Sequence, residues 1–237
     1  MSQKQHSQFK FNLRHVSVGQ LAAQRAERRR RGFLPGRRAR LADAVFKTPF
    51  AASEQWYEPR ATNAGGYRFV LQEPGEGYRH AVTPEEIRER LERAPRELTR
   101  PLQVVQLTRL TRKKRLFPCY GMQWGHAVYL YPMPADLVED VPRPPLPAEQ
   151  HEAAMYGGRW EQVHAGLWRL VWSEQAIKDY YLNNILFHEL GHLHDRRNRR
   201  HADRERYAEW FAVRYGYQPS RRTALRRTKP ARRHHAK

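Results

Sequence analysis

The segment 174–194 limits the possible folds of this chain more than any other, because it combines a long apolar helical pattern with two histidines and a glutamate. Its apolar residues recur at helical spacing in two neighbouring rows, namely Ile177, Tyr181 and Ile185, and Leu182, Leu186, Leu190 and Leu193. Two such rows predict a helix buried around most of its circumference. Ser173 is placed to cap its first turn. The core of the protein must therefore enclose this helix.

The histidines of this helix stand four residues apart in the string His188-Glu189-Leu190-Gly191-His192. That spacing puts both imidazoles on one helix face, where they can bind a single Zn²⁺. Glu189 lies beside that face and can reach a metal-bound water as general base. Two histidines and a glutamate in an apolar helix would be costly without a metal or strong partners. We therefore expect a zinc site rather than ordinary buried histidines.

A third ligand should come from a separate element, because a catalytic zinc takes three protein ligands and leaves the fourth position open. Glu205 follows His192 by 13 residues, on a second predicted helix that spans 203–215 and ends at Gly216. Glu209 lies one turn further on the same face and could orient a ligand. The alternative is that Glu205 and Glu209 pair with arginines on a solvated helix face.

The sequence before residue 174 predicts short strands and helices. Runs rich in β-branched and aromatic residues predict strands over 67–72, 102–110 and 126–131. The segment 167–172 is either a strand or an apolar lead-in to the long helix. Thr83 and Glu86 form a capping box for a helix that runs to about Arg93. Six prolines in 132–147 predict an extended loop. The expected fold class is α+β, with a small, mostly antiparallel sheet packed on the buried metal-binding helix and a second C-terminal helix.

The formal net charge of +20 is concentrated at the two ends of the chain. Residues 1–47 carry +10 and residues 221–237 carry +8, whereas residues 48–220 carry only +2. We expect a basic N-terminal extension, partly helical or disordered, a domain over 48–220 with its motif core in 100–217, and a basic disordered tail. Such ends either solubilise the protein or bind nucleic acid by releasing counterions from phosphate, and an organelle-targeting peptide is a third reading of the N-terminus.

Cysteine content and hydropathy narrow the class of protein further. The single cysteine, Cys119, excludes a disulfide scaffold and is expected to be a free thiol. No run of about 18 apolar residues exists, and the first ten residues lack the apolar stretch of a secretory signal. We therefore expect a cytoplasmic protein without a membrane partner.

The motif His188 to His192 followed by Glu205-Arg206-Tyr207-Ala208-Glu209 resembles the zincin metallopeptidases of the gluzincin type. The resemblance implies that His188, His192 and Glu205 bind zinc, that Glu189 is the general base, and that Glu209 orients a ligand histidine. The Phe211-Ala212 pair resembles the corresponding helix of ImmA/IrrE-like proteases. SprT-like proteases share the first motif but not clearly the second. Tyr207 and Glu209 both depart from the ImmA/IrrE-like pattern.

The function implied by this resemblance is hydrolysis of peptide bonds by a zinc-bound water, assisted by Glu189. An edge strand above the metal would hold the protein or peptide substrate, and the candidate segments are 102–110 and 126–131. The donor that stabilises the oxyanion stays open among Tyr207, Tyr215, Tyr217, His194 and His201. The alternatives are a non-proteolytic regulator with a zincin fold, and a DNA- or RNA-binding protein with a structural metal site.

Overall fold

The structure is a computed structural model that describes residues 66–111, 114 and 119–228. The predicted N-terminal extension, residues 1–47, lies outside these ranges, as do residues 229–237 of the predicted basic tail. Within the described ranges, no helix combines the length and the apolar composition that crossing a bilayer requires.

The described ranges form an α/β arrangement of short elements. The strands are β1 (Arg68–Leu71), β2 (Tyr78–Arg79), β3 (Val104–Leu107), β4 (Gly121–Trp124), β5 (Ala127–Leu130), β6 (Met133–Pro134), β7 (Val138–Val141), β8 (Arg159–His164) and β9 (Leu167–Val171). The helices are α1 (Pro84–Glu92), α2 (Arg96–Thr99), α3 (Pro147–Met155), α4 (Glu174–Tyr180), α5 (Leu186–His194), α6 (His201–Phe211) and α7 (Gln218–Thr228). Two π-helical segments, π1 (Tyr181–Ile185) and π2 (Ala212–Tyr217), join α4 to α5 and α6 to α7.

The main sheet has four strands in the order β1-β3-β5-β4. Alternation along β3 and β5 sends Val105, Leu107, Val128 and Leu130 into the cluster that contains the apolar side of α5. Val104, Ala127 and Tyr129 point to the opposite face and form a second cluster. The strands predicted over 67–72, 102–110 and 126–131 are confirmed as β1, β3 and β5, with shorter bounds. Of the two alternatives for 167–172, the strand is observed, as β9.

The main sheet is mixed rather than mostly antiparallel, which corrects the expectation from sequence. β1 pairs with β3 and β3 pairs with β5 in parallel, and β4 alone runs antiparallel, against β5. The physical reason lies in the connection between β1 and β3. It contains α1 and α2, and a helical crossover of this kind returns the chain in the same direction. The smaller sheets, β2-β6 and β7-β9-β8, are antiparallel.

The proline-rich segment 132–147 is not an extended loop throughout, so that prediction is wrong in part. It contains β6 and β7, and α3 begins at Pro147. Pro134 ends a strand of two residues, and Pro147 takes the first position of a helix, where no backbone N–H is required. The prolines therefore stand at the boundaries of regular elements instead of preventing them.

The long helix predicted over 174–194 is confirmed as the continuous run of α4, π1 and α5. Ser173 caps it by accepting a hydrogen bond from the Ala176 N–H at 3.2 Å. The capping box of α1 is also present, with the Thr83 N–H donating to Glu86 at 2.9 Å and the Glu86 N–H donating to Thr83 at 3.3 Å.

The prediction that the second helix ends at Gly216 is wrong. The helix continues from α6 through π2 into α7. Gly216 serves a close contact between helices: a Cβ atom there would lie 2.0 Å from the Asn183 carbonyl oxygen in π1. The continuation reaches Thr228 and so includes the first residues of the predicted disordered tail. Arg221 fixes this helix to the body by donating to Asp179 Oδ2 at 2.5 Å and by lying 4.6 Å from the Tyr217 ring centre.

Arg90 of α1 connects the two π segments. Its Nε donates to Asn183 Oδ1 at 2.6 Å, and its Nη2 donates to the carbonyl oxygens of Tyr215 and Gly216 at 3.0 and 3.3 Å. Its guanidinium carbon also lies 4.2 Å from the centre of the Phe187 ring. Burial lowers the pKa of Arg90 to about 10, so the side chain stays charged at neutral pH. One cation thus fixes two helices that each carry motif residues.

Glu139 of β7 connects the start of strand β4 to the start of the long helix. Its Oε1 accepts hydrogen bonds from Tyr120 Oη at 2.6 Å and from Trp172 Nε1 at 3.2 Å. Tyr120 immediately precedes β4, and Trp172 immediately precedes the Ser173 cap of the long helix. Burial raises the pKa of Glu139 to about 7, although both hydrogen bonds act to lower it. The carboxyl group therefore holds its proton in the folded protein at mildly acidic pH.

This raised pKa predicts a pH-dependent stability that Glu139→Gln should remove. The folded state binds the proton more tightly than the unfolded state, so the stabilisation is complete below the unfolded pKa of 4.5 and is lost as pH rises through about 7. At about 1.4 kcal/mol per unit, the wild type should lose roughly 2 to 3 kcal/mol between pH 5 and pH 8 through this group. Urea unfolding of both proteins at the two pH values measures the difference.

The variant Glu76→Gln, which changes an exposed carboxyl group in the turn before β2, is the control and should keep the pH dependence of the wild type. An unchanged pH dependence in Glu139→Gln would contradict the role given to the buried carboxyl group.

Candidate metal centre

The two motif histidines lie on one face of α5, as their spacing predicts. Their Nε2 atoms are 3.1 Å apart. The side chain of His188 is 12% exposed and that of His192 is 10% exposed. Both rings therefore present a nitrogen to the same small region at the edge of the core.

Glu205 joins the histidines from α6. Its Oε2 lies 3.4 Å from His188 Nε2, and its Oε1 lies 3.4 Å from His192 Nε2. The three ligand atoms all lie within 4.8 Å of one another, so His188, His192 and Glu205 could hold a metal ion. These are the three residues that the sequence predicts as ligands, and the fold brings them together from two helices.

Gly191 allows the two helices to approach closely. A Cβ atom at this position would lie 2.8 Å from the Cα of Ala208 and 3.0 Å from the Cβ of Phe211. Ala208 and Ala212 are fully buried, and Phe211 is nearly so. Ala208 and Phe211 thus pack against α5 at Gly191, and this contact sets the distance between Glu205 and the histidines.

The side chain of Glu189 extends from α5 toward strand β4. The residue is 1% exposed. A Cβ atom at Gly121, the first residue of β4, would lie 2.8 Å from Glu189 Oε1. The missing side chain of Gly121 therefore makes the space that the Glu189 carboxyl group occupies.

Among the described residues, the edge strand beside α5 is β4, which corrects the candidates taken from the sequence. The segments 102–110 and 126–131 form β3 and β5, and both are interior strands. β4 was not predicted, because Gly121-Met122-Gln123-Trp124 contains no β-branched residue and begins with glycine. Its contacts with α5 place it at the border of the site.

The register of β4 shows which of its backbone groups point away from the sheet. The Tyr131 N–H donates to the Tyr120 carbonyl oxygen at 2.9 Å, so this pair is hydrogen-bonded. Hydrogen-bonded and non-hydrogen-bonded pairs alternate along an antiparallel ladder. Gly121, opposite Leu130, and Gln123, opposite Val128, therefore direct their N–H and C=O groups outward.

A cleft opens beside His188 and carries several polar groups. It is lined by Cys119, Tyr120, Gly121, Glu152, Tyr180, Asn184, Ile185, His188, Glu205 and Glu209. Glu209 is thus on the cleft wall, one turn beyond Glu205, and its predicted role in orienting a ligand histidine stays a prediction.

Two polar residues of the cleft were not found by sequence reasoning. Asn184 Nδ2 donates to Glu152 Oε1 at 2.7 Å. Asn184 lies one helical turn before His188, so the motif spacing could have indicated it. Glu152 comes from α3, and nothing local in the sequence points to the site.

The five candidate oxyanion donors differ in their surroundings. His194 Nε2 is bonded to the Leu98 carbonyl oxygen at 2.8 Å, its ring stacks on that of Phe211, and the residue is absent from the cleft lining. The three tyrosines, Tyr207, Tyr215 and Tyr217, are absent from the cleft lining. His201 is also absent from the cleft lining, but its Nε2 lies 3.5 Å from Glu205 Oε1.

Cys119 is a free, partly buried thiol, as expected. Lys114 Nζ lies 2.8 Å from its sulfur atom. Cys119 lines the cleft but is not part of the group that could hold a metal ion.

Comparisons of the chain with protein-family models, with curated proteins and with solved structures returned no match. The function of the site must therefore be inferred from its own geometry.

Proposed function

We propose that this chain is a zinc metallopeptidase that hydrolyses peptide bonds of a protein or peptide held against strand β4. One observation carries the proposal: the ligand atoms of His188, His192 and Glu205 converge beside a buried glutamate and an open strand edge. A purely structural metal site would need neither of the last two features.

The distances between the ligand atoms fit zinc. A tetrahedral zinc with bonds of about 2.0 to 2.1 Å holds its ligand atoms roughly 3.3 to 3.4 Å apart. The two Nε2 atoms are 3.1 Å apart, and each lies 3.4 Å from a different Glu205 oxygen, His188 from Oε2 and His192 from Oε1. One oxygen of the carboxylate can thus be the third ligand, with all three ligand atoms within 4.8 Å of one another. Two imidazoles and one carboxylate are also a ligand set of catalytic zinc sites, whereas Ca²⁺ and Mg²⁺ prefer oxygen ligands.

The chain supplies a proton acceptor next to this centre. When bound, zinc acts as a Lewis acid that polarises a carbonyl oxygen and lowers the pKa of water. Glu189 would accept the proton of the attacking water and pass it to the leaving amine. Its position between α5 and β4 keeps its carboxyl group out of bulk solvent, because the residue is 1% exposed. Gly121 secures that position by leaving room for the carboxyl group.

The edge of β4 explains why a polypeptide would be the substrate. The outward N–H and C=O groups of Gly121 and Gln123 can pair with the main chain of an extended peptide. Main-chain pairing of this kind does not depend on the side chains of the peptide. It would hold the peptide along the side of β4 that borders Glu189.

Binding of nucleic acid by residues 1–47 and 221–237 stays a prediction, as does a cytoplasmic location. The charges of these ends, +10 and +8, would serve to localise the peptidase, while the described site would carry out the hydrolysis.

The variant Glu189→Gln should abolish proteolysis without loss of zinc. Gln keeps the size of the side chain but cannot accept the proton, so kcat should fall by about 100-fold or more. The measurement is the cleavage of a library of denatured proteins, with zinc content determined on the same samples. Glu161→Gln, at an exposed position of β8, is the control and should cleave as the wild type does. Equal cleavage by Glu189→Gln, or cleavage that survives removal of zinc, would contradict the proposal.

The pair Gln123→Pro and Gln123→Ala tests the role of the strand edge. Proline removes the outward N–H at a position that does not bond to β5, whereas alanine keeps it. Loss of one hydrogen bond to the substrate predicts a kcat/KM about 3- to 10-fold lower in the proline variant only. Zinc content should be unchanged in both. If the two variants cleave peptides equally well, the substrate does not pair with this edge.

A further inference from the structure

His201 is the first residue of α6 and stands one helical turn before Glu205. Its Nε2 lies 3.5 Å from Glu205 Oε1, the same oxygen that faces His192. His201 does not belong to the three residues whose ligand atoms all lie within 4.8 Å of one another. It is thus adjacent to the carboxylate ligand without sharing the point where the metal would sit.

The surroundings of the ring indicate which nitrogen carries the proton. The Nδ1 atom of His201 is buried and has no hydrogen-bond partner among the described residues. A buried N–H without an acceptor is costly, so the neutral ring is more stable with its proton on Nε2. That tautomer places the proton on the nitrogen that lies 3.5 Å from Glu205 Oε1.

A glutamate that binds a metal needs support at its carboxylate. Both Glu205 oxygens face the site, with Oε2 toward His188 and Oε1 toward His192 and His201. A donor on Oε1 would fix the plane of the carboxylate and leave Oε2 directed at the metal. Hydrogen bonds to ligating carboxylates act in this way in metal sites generally.

We propose that His201 is a positioning residue, which donates from Nε2 to Glu205 and holds that carboxylate in the orientation that binds the metal. The inference rests on the proposed function, because it takes the metal to be zinc. It requires no change in the charge of His201. It also gives a role to one of the five residues that the sequence left open as oxyanion donors, through the ligand rather than through the substrate.

The test compares His201→Phe, which keeps a ring but removes the donor, with His201→Gln, which keeps an N–H donor of similar reach. Zinc affinity of the full chain is measured by competition with a chromogenic chelator. Thermal unfolding of the zinc-free proteins is measured in parallel. His164→Phe, at an exposed position of β8, is the matched control for loss of an imidazole.

The expected result is a 10- to 100-fold loss of zinc affinity in His201→Phe, with affinity largely retained in His201→Gln and in the control. The zinc-free proteins should unfold at the same temperature, since a purely structural role would lower that temperature instead. Unchanged affinity in His201→Phe would overturn the inference alone. A loss in both His201 variants as deep as in His188→Ala would make His201 a ligand and would also overturn it. A wild type that binds no zinc would overturn the proposed function together with this inference.

Discussion

The close packing of α5 against α6 is the contact on which the candidate metal centre depends. Gly191 meets the backbone of Ala208 with no room for a side chain. The separations of 3.4 Å between Glu205 and the two histidines exist only because the helices approach this closely. Gly216 allows a similarly close approach to Asn183 where the two π segments meet. Arg90 donates hydrogen bonds to both of those segments. The ligand geometry is thus held by side chains that are not ligands.

Residues that are not candidate ligands also hold strand β4 against α5. Glu139 accepts hydrogen bonds from residues that immediately precede β4 and the cap of the long helix. Gly121 then brings β4 against Glu189. A buried carboxyl group and a glycine therefore set the position of Glu189, the proposed proton acceptor, relative to the edge that would bind a peptide. Neither group needs to touch a substrate to have this effect.

Local patterns made the helices of the site predictable. The rows of apolar residues and the four-residue spacing of His188 and His192 are properties of one helix, and Glu205 follows on the next. Prediction from the sequence failed where contacts between residues far apart in the chain decide the structure. β4 lacks β-branched residues, and it forms because β5 and α5 provide partners for it. Glu152 reaches the cleft from α3 through a contact with Asn184 that no spacing rule contains.

The central claim is that His188, His192 and Glu205 bind one zinc ion. Anomalous difference density, recorded at the zinc absorption edge from crystals of the full chain grown with zinc, tests it most directly. A zinc ion held by these residues should give a peak about 2.0 to 2.2 Å from both Nε2 atoms and from one Glu205 oxygen. The absence of a peak at that point, or zinc bound only by other residues, would contradict the claim.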